Sequence, residues 1–251
     1  MQKLKKLKCL ALVFVLTAGV QSAVAAVPQR DTGAKSSDFM KLLNAPLSEA
    51  ARAIYGHGPE GYQALRRMSF EEAYPMATRW KAFMVMVRIG GKKSFPEIRQ
   101  ALLSRDWFMR SAGLQALANV DKKRAAKAAR KLFRSDKAMM VRAKAVDVLR
   151  ASPSRKVRKM LWSRLYAKEN YYRNQGLWIR KHIVQYLVDH GKKSDLKGFL
   201  KIFNSKKLED SELKALAFPA LERLMRKAPS ASLSTPAKVA FWHSELKTKV
   251  R

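Results

Sequence analysis

Ser135-Asp136-Lys137-Ala138-Met139-Met140-Val141-Arg142-Ala143-Lys144-Ala145-Val146-Asp147-Val148-Leu149 is the stretch that decides the fold. Within it Arg142, Ala145 and Leu149 stand three and four residues apart, on one face of a helix. The same triad of a basic, a small or aliphatic and a large apolar residue returns four times: Arg79/Ala82/Met86, Arg110/Gly113/Leu117, Arg180/Ile183/Leu187 and Lys214/Ala217/Leu221. Successive basic positions are 31, 32, 38 and 34 residues apart. A repeat of that length denotes stacked supersecondary units, each burying its apolar face against the next. Such stacks make long binding surfaces more often than enclosed catalytic pockets.

Outward from this stretch, apolar residues keep the helical period and nowhere alternate long enough for a strand. Five helix pairs are expected, at 59–70 and 74–89, 94–104 and 107–120, 122–134 and 138–150, 154–167 and 174–190, and 194–204 and 210–227. Ahead of them, Asp38 is read as the N-cap of one helix carrying Phe39, Leu42, Leu43, Leu47, Ala50, Ala51 and Ile54. Behind them, Val239, Trp242 and Leu246 mark a closing helix at about 235–247. Gly91 and Gly191 are expected as left-handed helix ends, and Ser94, Ser154 and Ser194 as caps. Pro219 predicts a kink or a first turn.

The quoted stretch resembles the turn and second helix of HEAT repeats, whose turn acid and Val-Arg pair match Asp136 and Val141-Arg142. Ser104-Arg105-Asp106-Trp107-Phe108-Met109-Arg110 is similar with a shorter turn, and Asn174 precedes Arg180 as Asp136 precedes Arg142. The likeness spans about residues 59–227. It implies an all-α superhelix, a HEAT-like solenoid of about five helix pairs closed by terminal capping helices. It also implies a repeat-to-repeat hydrogen-bond ladder through Asp106, Arg110, Asp136, Arg142, Asn174 and Arg180.

The N-terminus follows a different pattern. Lys3, Lys5, Lys6 and Lys8 precede an apolar run from Cys9 to Val20 and the small triplet Ala23-Val24-Ala25. That is the layout of a secretory signal peptide, residues 1–25, cleaved after about Ala25, with an uncleaved anchor as the alternative. Residues 26–37 read as a flexible lead-in and 38–251 as one solenoid domain. Cleavage removes Cys9, the only cysteine, and with it any disulfide or thiolate chemistry. The expected location is the periplasm or the extracellular space.

Charge then bounds the partner. The chain has 52 Lys+Arg against 19 Asp+Glu. Without the four leader lysines, 48 remain against 19, a net of +29. Such an excess costs self-repulsion and suits a polyanion. Residues 121–168 hold seventeen bases and three acids. Lys123, Lys127, Arg130 and Arg134 share a helical face there. Dibasic pairs Lys92-Lys93, Lys122-Lys123, Arg155-Lys156 and Lys192-Lys193 fall in successive inter-repeat turns. Equivalent turns of a stack lie on one edge, so these pairs predict a cationic ridge. The expected partner is an anionic polymer or surface (lipopolysaccharide, acidic glycan, anionic lipid or nucleic acid) or an acidic protein.

Catalysis has no matching signature. His57, His182, His190 and His243 have no acid or third ligand at metal-binding spacing in the sequence, and no Gly-rich phosphate loop or nucleophile elbow occurs. A non-enzymatic binder with no cofactor, metal site or small-molecule substrate is the first reading. A protein-interaction scaffold of the cell envelope is the second. A nucleic-acid binder or relative of HEAT-like alkylpurine DNA glycosylases is the third. Trp178 is expected to be buried.

Overall fold

The computed structural model describes residues 33–173 and 175–250. The leader, most of the lead-in and Asn174 lie outside the described residues. The chain forms α1 (Gly33–Leu42), α2 (Leu47–Tyr55), α3 (Gly58–Phe70), α4 (Met76–Gly90), α5 (Phe95–Leu102), α6 (Trp107–Val120), α7 (Lys122–Ser135), α8 (Met139–Arg150), α9 (Arg155–Arg164), α10 (Leu177–His190), α11 (Leu196–Phe203), α12 (Asp210–Met225) and α13 (Thr235–Val250). Short 3-10 turns join some of them, and among the described residues there is no strand. The expected all-α, HEAT-like solenoid is the observed fold.

Each pair closes as an antiparallel hairpin because its helices are amphipathic. Helix α7 is the clearest case. Ala125, Ala126, Ala129 and Phe133 point inward and are buried, while Lys123, Lys127, Lys131 and Arg134 point out. The carboxylate of Asp121 caps its start by accepting from the Arg124 amide at 2.9 Å. At the matching level of α6 the triad has Gly113. A methyl group there would meet the Ala101 side chain and the Leu102 backbone nitrogen at 3.0 Å, so glycine lets α5 and α6 approach.

The second helices α4, α6, α8, α10 and α12 pack directly on one another in series. Successive first helices have no direct packing of that extent. Closer spacing on one side curves the stack, so the second helices form the inner layer and the first helices the outer. The core is accordingly two overlapping clusters, one running from α1 to α7 and one from α6 to α13, with α6 and α7 contributing to both. Trp242 and Leu246 of α13 are fully buried and close the C-terminal end.

Several expectations are corrected. The N-terminal helix is two helices: Pro46 has no N–H and disfavours a helical Ala45, so α2 starts afresh at Leu47. Helix α1 begins at Gly33, which places Asp38 inside it, paired with Lys41 at 3.5 Å. Gly91 has the expected positive φ of 51°, but Gly191 has φ −59°. Gly191 is required for closeness instead, since a Cβ would stand 2.5 Å from the Leu187 carbonyl oxygen. Of the three serines only Ser154 caps a helix through its side chain, accepting from the Val157 amide. Ser94 bonds the Tyr62 hydroxyl. Helix α12 continues past Pro219.

Candidate anion-binding surface

The arginines of the triad point into the joints between repeats. Arg79 reaches back to the Ser69 carbonyl at 3.3 Å and forward to Asp106 at 2.7 Å. Arg110 donates to the Ser104 and Arg105 carbonyls at 3.0 and 2.8 Å and grips both oxygens of Asp136 at 2.7 and 2.8 Å. Arg180, fully buried, donates to the Gly176 carbonyl and to Asp210 at 2.9 and 2.5 Å, and also bonds Glu209. Each guanidinium thus ties its own turn to the carboxylate that opens the second helix of the next unit. The forked geometry of arginine suits this two-sided task; lysine cannot match it. At the last position Lys214 bonds only its own turn, at the Ser205 carbonyl.

The ladder has one irregular rung. Arg142 holds the Asp136 and Lys137 carbonyls at 2.9 and 3.1 Å, but its forward contact is the backbone carbonyl of Glu169, not a side-chain acid. Its Nε is buried without a partner, and burial lowers its pKa. By contrast the hydrogen bond to Asp136 raises that of Arg110. The rung changes because the turn between α9 and α10 is longer and carries the 3-10 turn Lys168–Asn170 across the gap. The Glu209–Asp210 pair that serves Arg180 was not singled out in the sequence. Its signal was available, since two acids begin α12 thirty residues after Arg180.

The expected ridge residues are all at the surface. Lys92, Lys93, Lys122, Lys123, Lys127, Arg134, Arg155, Lys156, Lys192 and Lys193 are exposed, and Arg130 is half-buried. Contacts between equivalent helix ends show that the inter-repeat turns share one edge. Arg150 at the end of α8 meets Asp189 at the end of α10, at 2.5 Å. Arg223 of α12 meets the Val188 carbonyl at 2.5 Å. Lys92 and Val120 line one groove, and Arg155, Lys159, Ser194 and Gly198 line another of about 510 Å³. At its floor buried Asp195 accepts from Arg158 at 2.9 Å, Trp162 Nε1 at 3.0 Å and the Lys192 amide at 2.8 Å. Arg158 is therefore neutralised, and the neighbouring bases are not.

Carboxylates are concentrated on internal work. Asp106, Asp136, Asp189, Asp195, Glu209 and Asp210 all hold arginines within the stack. Among the described residues none of the eleven ridge side chains is in an ion pair.

The inner layer differs. Asp147, Arg150, Lys181, His182, Gln185 and Glu212 line a groove of about 570 Å³ on α8, α10 and α12. His182, with no acid at metal-binding spacing in the sequence, lies 2.9 Å from Asp147 because α8 and α10 pack side by side. Lys181 pairs with Glu212. Trp178 is 42% exposed, not buried, and its ring edge meets His182 at 5.1 Å. Met76, Trp107 and Met140 are likewise exposed, at the starts of α4, α6 and α8. Among the described residues no cluster of His, Asp or Glu has metal-binding geometry, and no helix is long and apolar enough to cross a membrane.

The fold and its arginine ladder define the class: a HEAT-like α-solenoid. Residues 62–150 match the family model of HEAT repeats, which covers α3 to α8, the first three hairpins without the opening turn of α3. The ladder continues beyond the match, through Arg180, into the last two pairs. No curated protein matches the chain.

Proposed function

We propose that this protein is a binding protein that captures an anionic partner on its unpaired Lys/Arg surface. The observation that carries this reading is the division of charge. Asp106, Asp136, Asp195 and Asp210 are engaged by arginines within the stack, while the dibasic turns and Lys127, Lys131 and Arg134 of α7 are in no ion pair among the described residues. Maintaining that imbalance costs repulsion, which an external polyanion relieves. No catalytic step enters the reading. The leader-like residues 1–25 add an envelope or extracellular setting, where anionic polymers and surfaces are abundant.

The test is retention on immobilised heparin across a salt gradient. Replacing Lys122, Lys123, Arg155 and Lys156 by Ser should move elution to distinctly lower salt, since each lost contact removes counterion release. Unchanged elution would remove the turn edge as the site.

A second reading, docking of a protein on the second helices, is favoured by the exposure of Met76, Trp107, Met140 and Trp178 at their starts. Such residues are enriched in protein interfaces.

A further inference from the structure

The anionic partner has two layers to choose between, and they differ in whether acids are mixed among the bases. Helix α7 carries seven bases, α9 five and α11 two, and none of the three carries an acid. On the inner layer α8, α10 and α12 carry Asp147, Asp189, Asp210, Glu212 and Glu222 among their bases. The turn edge is only the rim of the basic surface. We infer that a linear polyanion lies across the solvent face of the first helices α7, α9 and α11, perpendicular to their axes. This rests on the reading above and adds the face, the direction and the kind of chain.

The three helices contribute to one continuous core, and each is the first helix of a successive pair. Direct contacts join α9 to α11: Arg158 to Asp195, and the Trp162 ring over Gly198, where a Cβ would stand 2.7 Å from ring carbons. Directly packed helices lie about 10 Å apart, and the first helices, which touch less closely than the second, stand at least that far apart. Lys127, Lys131, Lys159 and Lys197 are exposed on the three helices and in no ion pair among the described residues. They give cationic rungs along a track of about 20 Å or more.

The same face narrows the ligand. None of the exposed large apolar side chains belongs to α7, α9 or α11. Binding of single-stranded nucleic acid draws on aromatic stacking platforms, and membrane docking draws on apolar residues that insert. This face supplies charge alone. It suits a flexible chain of closely spaced anionic groups without bases or acyl tails, the chemistry of polyphosphate.

The test measures binding of labelled inorganic polyphosphate by three forms of the full-length protein at several salt concentrations. One is wild type. One has Lys127, Lys131, Lys159 and Lys197 changed to Ser. The third is matched in net charge, with Lys81, Arg88, Lys144 and Lys181 of the second helices changed to Ser. Circular dichroism checks that all three fold. The first-helix variant should lose about tenfold or more in affinity, and its log-log salt slope should flatten by about 3. The matched variant should lose much less. Equal losses in both variants would overturn the outer track while leaving polyanion capture standing. Failure of wild type to bind any polyanion sinks the underlying reading itself. Tighter binding to single-stranded DNA of equal charge, or to anionic phospholipid vesicles, overturns the choice of chain.

Discussion

The two helical layers of this solenoid have the same parent pattern and differ in how their charge is balanced. The inner helices hold several of their arginines on carboxylates, Arg110 on Asp136, Arg150 on Asp189 and Arg180 on Glu209 and Asp210, while Arg88 stays exposed. The outer helices from α7 onward carry many bases and leave most of them unpaired. In the first setting the charge is partly desolvated and holds repeats in register. In the second it is solvated and adds little to folding. Position in the stack thus bears on whether a base is neutralised within the fold or left to solvent. That separation can be attacked from either side.

The largest effect should come from the inner layer. Asp210→Ala leaves Arg180 buried with one counter-charge fewer and removes the acceptor of the Tyr166 hydroxyl, which burial and that bond hold protonated. A loss of about 3–5 kcal/mol is expected in urea denaturation. A change below 1 kcal/mol would show that the rung only decorates the joint. Next in size, Arg110→Ala should cost about 1.5–3 kcal/mol for its charge-assisted bonds, whereas Lys127→Ala on the outer layer should stay within about 0.5 kcal/mol. Comparable losses at these two sites would erase the distinction between layers.

The joint beneath the outer track gives a finer test. Gly198→Ala pushes a methyl group into the Trp162 ring and disturbs its bond to Asp195. A cost of about 1–3 kcal/mol is expected, read from thermal unfolding, with a change in tryptophan emission. The smallest effect concerns pH. A hydrogen bond from its own backbone amide and the pairing with Arg164 hold the Glu169 carboxyl below its usual 4.5. Its contribution is present above that value and fades as pH falls through the lower folded-state pKa. Wild type should therefore lose its small advantage over Glu169→Gln on titration from pH 6 to 3. A gap that stays constant would assign the effect to shape instead of charge.

Much of this was legible along the chain. The Arg/small/apolar triad places α4, α6, α8, α10 and α12, because burial against two neighbouring units demands one fixed face per turn of the stack. The break at Pro46 was also written there, and was underweighted against a continuous apolar pattern. Trp178 and His182 were not legible. Local spacing says which face of α10 is apolar, but α10 meets α8 and α12 unequally, leaving Trp178 at the surface and bringing Asp147 to His182. Arg142 likewise followed the motif, yet its partner depends on where a longer turn lands.

By itself the amino-acid order determined the helices, their pairing and the excess of positive charge, since each follows from short-range periodicity and composition. Only the tertiary structure decided which charges are cancelled and which layer keeps them. Cancellation depends on carboxylates some 26 to 39 residues away, brought within 3 Å by stacking, and no local pattern encodes that distance.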